Sequence, residues 1–173
     1  CQIGNEVYIE GSGTVENNGM GAVRMYAASA ANGFVGNLTG TVHLTGDAAF
    51  GANNTSFTAA GAPFIGISGK ITGPGGLVIS SPTATGNGAG TINIGSTNGA
   101  FDIPNDYAGN TTINGTVGGS VNSTLRSADP ADNNIMPHGS TGGDEGAATG
   151  NVILSATAAN PQAIFDPNGS TQV

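Results

Sequence analysis

The sequence predicts an all-β chain, wound as a solenoid or, as the alternative, folded as a β-sandwich. Three observations lead there. Apolar residues come in short, alternating runs, which is the signature of half-buried strands. Almost every run is fenced by Gly or Asn, the residues that accept the φ > 0 corners of tight turns. Bulky side chains are scarce: aromatics are 5% of 173 residues and there is no Trp, whereas Gly alone supplies 31. A round core is hard to fill from this stock, and a slim interior between short strands is easier.

The runs follow in order along the chain. Val7-Tyr8-Ile9 opens the series, followed by Ala22 to Tyr26 and by Thr41-Val42-His43-Leu44. Phe64-Ile65-Gly66-Ile67, Lys70-Ile71, Leu77-Val78-Ile79 and Thr91-Ile92-Asn93-Ile94 come next. Thr111-Thr112-Ile113, Thr124-Leu125, Asn151 to Leu154 and Ala163-Ile164-Phe165 complete it. No helix is expected, because the one Ala-rich patch, 27–31, is short and ends at Asn32-Gly33. The run centres recur at roughly ten to twenty residues, about one face or one coil of a solenoid. A sandwich of about ten strands has the same spacing. It would hide two inner faces that need large residues, and those are few. Asn and Thr recur near the turns (Asn93, Asn110-Thr111-Thr112, Asn114, Asn122), as they would if like side chains hydrogen-bonded up a stack. The solenoid is therefore the favoured reading, as one domain over 1–173.

Composition narrows the function. Three cations, Arg24, Lys70 and Arg126, stand against eleven Asp/Glu, for a net charge of −8. Nucleic acid is excluded as a partner, since phosphate contacts need clustered Lys and Arg. Anionic membrane surfaces are disfavoured for the same reason. No stretch approaches the ~20 apolar residues of a transmembrane helix. Cys1 is the only cysteine, so no disulfide forms within the chain. It admits three readings: a lipid-anchored first residue, a disulfide to a neighbouring subunit, or the start of a piece of a longer chain. The sequence opens on Cys and shows no signal peptide, as expected of a chain processed or excerpted from something longer.

The most distinctive stretch is Gly69-Lys70-Ile71-Thr72-Gly73-Pro74-Gly75-Gly76-Leu77-Val78-Ile79. It is followed by Gly86-Asn87-Gly88-Ala89-Gly90-Thr91-Ile92-Asn93-Ile94 and by Asn105-Asp106-Tyr107-Ala108-Gly109-Asn110-Thr111-Thr112-Ile113-Asn114-Gly115. This order resembles the passenger-associated repeats of bacterial autotransporters. Leu125, Gly150-Asn151-Val152 and Phe165-Asp166-Pro167-Asn168-Gly169 extend the resemblance, which covers 63–173; residues 1–62 share its style, with Gly46 to Phe50 the best fragment. The resemblance implies a right-handed parallel β-helix displayed outside the cell as a stalk, adhesin or surface fibre. The chain departs from the pattern at Pro104, in the Gly-rich 116–123 segment and in 129–145, which looks like an inserted loop.

Reactive constellations are few. His43 lies between Val42 and Leu44 in an alternating run and should point outward, and His138 sits in a loop. Two isolated His and one terminal Cys do not make a zinc set. No nucleophile motif and no phosphate-cradling loop is present. Carboxylates are the remaining candidates for the lyase or glycosidase chemistry that β-helices can carry: Asp102 with Asp106, or Asp129, Asp132, Asp144 and Glu145. They read as solvated loop acids, and calcium is the one cofactor they could attract. The Asn-x-Ser/Thr triplets at Asn37, Asn53, Asn54, Asn110, Asn114, Asn122 and Asn168 are as many as chance allows in so Asn- and Thr-rich a chain. No catalytic, cofactor or metal residue is therefore expected. The expectation is an extracellular structural protein that continues or self-associates through uncapped coils, with an adhesin segment and, more remotely, a polysaccharide lyase as rivals.

Overall fold

The computed structural model describes residues 2–13, 21–27, 35–54, 64–80, 90–95, 105–115, 123–128, 136, 150–156 and 163–167. These residues form strands and turns, with no helix. The strands are β1 (Gln2–Ile3), β2 (Val7–Gly11), β3 (Val23–Ala27), β4 (Val35–Leu38) and β5 (Val42–Asn54). They continue as β6 (Phe64–Ile67), β7 (Ile71–Thr72), β8 (Leu77–Ser80), β9 (Gly90–Ile94) and β10 (Thr111–Asn114). The last are β11 (Ser123–Ser127), β12 (Val152–Ser155) and β13 (Ala163–Asp166). Each alternating run noted above falls on a strand. Three features carried too weak a pattern to be expected: β1, β4 and the extension of β5 to Asn54. Gly36 and Asn37 dilute β4, and Gly46, Asp47 and Gly51 interrupt the alternation along β5.

Two sheets result. One runs β1-β4-β6-β9-β11-β13; the other runs β12-β10-β8-β5-β2, with β3 and β7 also on β5. From β8 onward every successive strand changes sheet. All pairings among the described residues are parallel. Parallel neighbours cannot be joined by a hairpin, so the chain must travel away and return between them. Here the return passes through the opposite sheet. The antiparallel hairpins of an immunoglobulin-type sandwich have no counterpart among these residues.

Because side chains alternate in a strand, register stacks like faces into columns. Phe50, Ile79 and Ile113 align in one sheet, and Leu38, Ile67 and Ile94 align in the other. All six are buried, and residues of both sheets join one apolar cluster. The interior is thus a set of Ile/Leu/Val columns, each fully buried side chain contributing about 1.5–3 kcal/mol. This explains how so few aromatics suffice.

The turn 73–76 shows why glycine is required there. Gly73 takes φ of 115°, a left-handed angle. Gly75 lies over Gly46, so that a Cβ on it would penetrate the Gly46 carbonyl and stand 2.8 Å from Gly46 Cα. Gly109 stacks on Gly75 and Gly76, and Gly150 stacks on Gly109. The corner is a column of residues without side chains.

Candidate functional site at the outermost strands

Polar side chains near the turns bind backbone across strands. Asp47 Oδ1 accepts the Gly76 N–H at 2.8 Å, Asn105 Oδ1 accepts the Ile71 N–H at 2.7 Å, and Asn110 Oδ1 accepts the Asn151 N–H at 2.9 Å. The expected stacking of like side chains occurs where Thr91 aligns with Thr124, but not at Asn93 or Asn114. Asn114 aligns with Ser80 and Ser155, and Asn93 with Gly66 and Arg126. The physical reason is that a corner leaves backbone donors without a ladder partner, and a short Asx carboxyl or amide reaches the next strand's N–H.

Tyr107 is the largest fully buried side chain among the described residues and was not legible as core from its Gly/Asn-rich surroundings. Its hydroxyl shares a 2.5 Å hydrogen bond with Thr111 Oγ1. Burial pushes the phenol far above its ordinary range, and the bond to Thr111 only partly opposes this. Tyr107→Phe should cost about 1 kcal/mol in urea unfolding, because the buried Thr111 hydroxyl loses its partner.

Asp106, one of the candidate acids, pairs with Lys70 at 2.6 Å on the half-buried outer surface. Burial works to raise its pKa, but hydrogen bonds from Lys70 and Thr72 and the Lys70 charge hold the carboxyl below its usual value. A lowered folded pKa means the contribution to stability is complete above about pH 4 and is lost as pH falls through the folded value. Lys70→Met should flatten that acid limb while costing under about 1 kcal/mol at neutral pH. Acid titration of the two proteins, followed by circular dichroism, checks it.

His43 points outward as expected and stacks on Tyr8, with ring centroids 4.4 Å apart and planes 7° from parallel. Its Nε2 lies 3.7 Å from Glu6 Oε2 and has no hydrogen-bond partner, while the Tyr8 hydroxyl donates to the same Glu6 oxygen at 3.3 Å. Cys1, Asp102, Pro104, Asp129, Asp132, His138, Asp144 and Glu145 lie outside the described residues, as do Asn122 and Asn168. Of the remaining Asn-x-Ser/Thr sites, Asn37 accepts a bond from Ser68 and Asn110 holds the Asn151 N–H. Among the described residues, no group of three or more His, Cys, Asp or Glu converges to hold a metal, and no helix is long and apolar enough to cross a membrane.

The exposed apolar surface has a definite place. Among the described residues, the exposed large hydrophobic side chains are Ile3 and Tyr8 at one end of the sheets and Val152, Ile153 and Leu154 at the other. Leu154 continues the column of Phe50, Ile79 and Ile113, yet it is 56% exposed where Ile113 is 0% exposed. The partly buried side chains packed on the core (Val7, Ile9, Val23, Ala163 and Phe165) also belong to β2, β3 and β13. Among the described residues, the interior columns are fully covered in the middle strands and less covered toward both sheet edges.

Comparison with known proteins leaves the site to be read from its own geometry: no family model, no curated protein and no solved structure matches the chain.

Proposed function

We propose that the chain is a β-solenoid segment, a right-handed parallel β-helix of an extracellular or cell-surface fibre, extended end to end through its two outermost coils. The observation that carries this is that, among the described residues, the exposed large apolar side chains lie on the outermost strands β1, β2 and β12, with the core columns running into those edges. Parallel strands that alternate between two sheets support the solenoid, since each passage through both sheets is one coil. A parallel edge strand with apolar side chains on offer is a template for another parallel strand. The resemblance to autotransporter passenger repeats supports the handedness and the placement outside the cell. On this reading the protein is structural and not an enzyme.

Leu154→Lys puts a charge on the open column and should abolish the association of the native chain, seen as filaments by negative-stain microscopy and as fast-sedimenting species by ultracentrifugation. The buried strands should keep their circular dichroism. A native chain that stays monomeric at high concentration overturns the reading.

One observation favours a second reading, an adhesin segment that binds glycans. The Tyr8–His43 stack presents an exposed ring beside the Glu6 carboxylate, a surface on which a sugar ring can lie. Loss of glycan binding in Tyr8→Ala, with filaments intact, would support it.

A further inference from the structure

We propose that a second copy of this chain seats on β12 in one defined register, with Leu154 of one copy over Val23 of the next. This rests on the end-to-end reading above and specifies its interface. Two columns cross the whole seven-stranded sheet. One is Gly11, Ala48, Leu77, Thr111 and Val152; the other is Val23, Phe50, Ile79, Ile113 and Leu154. Each column begins on β2 or β3 and ends on β12, which are edge strands of that sheet or its branch on β5. Since every strand is parallel, a copy displaced along the columns brings its β2 and β3 to β12 in the orientation the sheet already uses. Val152 then faces Gly11, Leu154 faces Val23, and Ser155 faces Arg24.

Side-chain alternation selects this register. A slip of one residue would set the inward Leu154 against the outward Arg24 and the outward Ile153 against Val23, so the apolar faces of the two copies would no longer align. Charge agrees with the same occupant. β1 and β12 carry no charged residue, Glu6 and Glu10 at the β2 end are exposed and lie outside both columns, and Arg24, which would face Ser155, is exposed on the outer side of the sheet, where its charge stays in water. In the six-stranded sheet Asp166, already paired with Arg126 at 3.2 Å, continues the column that starts at Gln2 and would meet that amide. Pro167 follows with no N–H to offer, so the seven-stranded sheet carries the contact. The two faces differ, so the contact is head to tail and repeats without closing.

Disulfide trapping tests this in a Cys1→Ser background. Adjacent parallel strands bring facing Cα atoms to about 4.8 Å, within disulfide reach. Leu154→Cys with Val23→Cys should oxidise to a ladder of dimers and higher multimers on a non-reducing gel. Ile153→Cys with Val23→Cys should give at least ~10-fold less. Arg24→Cys with Ser155→Cys repeats the test at surface positions, where folding is not at stake. If the copies associate by sedimentation but neither matched pair cross-links, or the slipped pair cross-links as well, the register is overturned and end-to-end assembly stands. If the native chain shows no association at all, both fall.

Discussion

Gly75→Ala should destabilise the protein by about 3 kcal/mol or more, at or beyond the upper end of ordinary overpacking. Its Cβ would enter the carbonyl group of Gly46, and the obstacle is backbone on the next strand of the same corner. No rotamer change relieves that, so the strands on either side of the turn must separate. The same corner repeats at Gly109, where a Cβ would come within 2.6 Å of Gly76 Cα, so the strain is passed along the column. Gly46→Ala is the control. A Cβ there meets only the Glu10 side chain at 3.5 Å, an ordinary contact, and its stability should stay within about 0.5 kcal/mol of the parent. Urea unfolding of the three proteins measures the difference, and equal midpoints for the two alanine variants would remove the stacked-corner account.

Phe50→Ala carries the other large effect, an expected loss of about 3–5 kcal/mol. Phe50 is fully buried and sits on β5, the strand that pairs with β2, β3, β7 and β8. Its ring lies in the column of Ile79 and Ile113 and aligns with Val23 on the other side. Small neighbours such as Ala48 and Ala49 have no side chain long enough to refill the space. Thermal unfolding should show a single transition at lower temperature. Replacing the exposed Ile153 by alanine should change it little, because that side chain faces outward. A small effect at Phe50 would mean that the columns close up after truncation.

Much of the strand content was legible along the chain, for a simple reason. In β8, β10 and β11 the alternation Leu77/Ile79, Thr111/Ile113 and Ser123/Leu125/Ser127 coincides with alternating burial. Alternation is local, so sequence neighbours are enough to reveal it. The extension of β5 beyond Leu44 was not legible, because Gly46 and Asp47 break its pattern while parallel neighbours on both sides hold the strand together. Tyr107 was hidden for a related reason. Its flanking residues are Asp106 and Ala108, and only the enclosure by other strands makes it core. The Asn residues were recognised as turn material, but their partners lie 34 and 41 residues away, beyond any local pattern. His43 was placed outward correctly, yet nothing local points to a stacked partner in Tyr8.

By itself the sequence determined the type of element and the turn chemistry at Gly73 to Gly76. These follow from residue type and spacing alone. Only the tertiary structure decided that the strands pair in parallel, that glycines 46, 75, 109 and 150 form one corner, and that Leu154 ends a core column in the open. Pairing direction and column membership depend on contacts between residues about thirty apart. Local propensity is the same for either direction, so the choice is made when the columns pack.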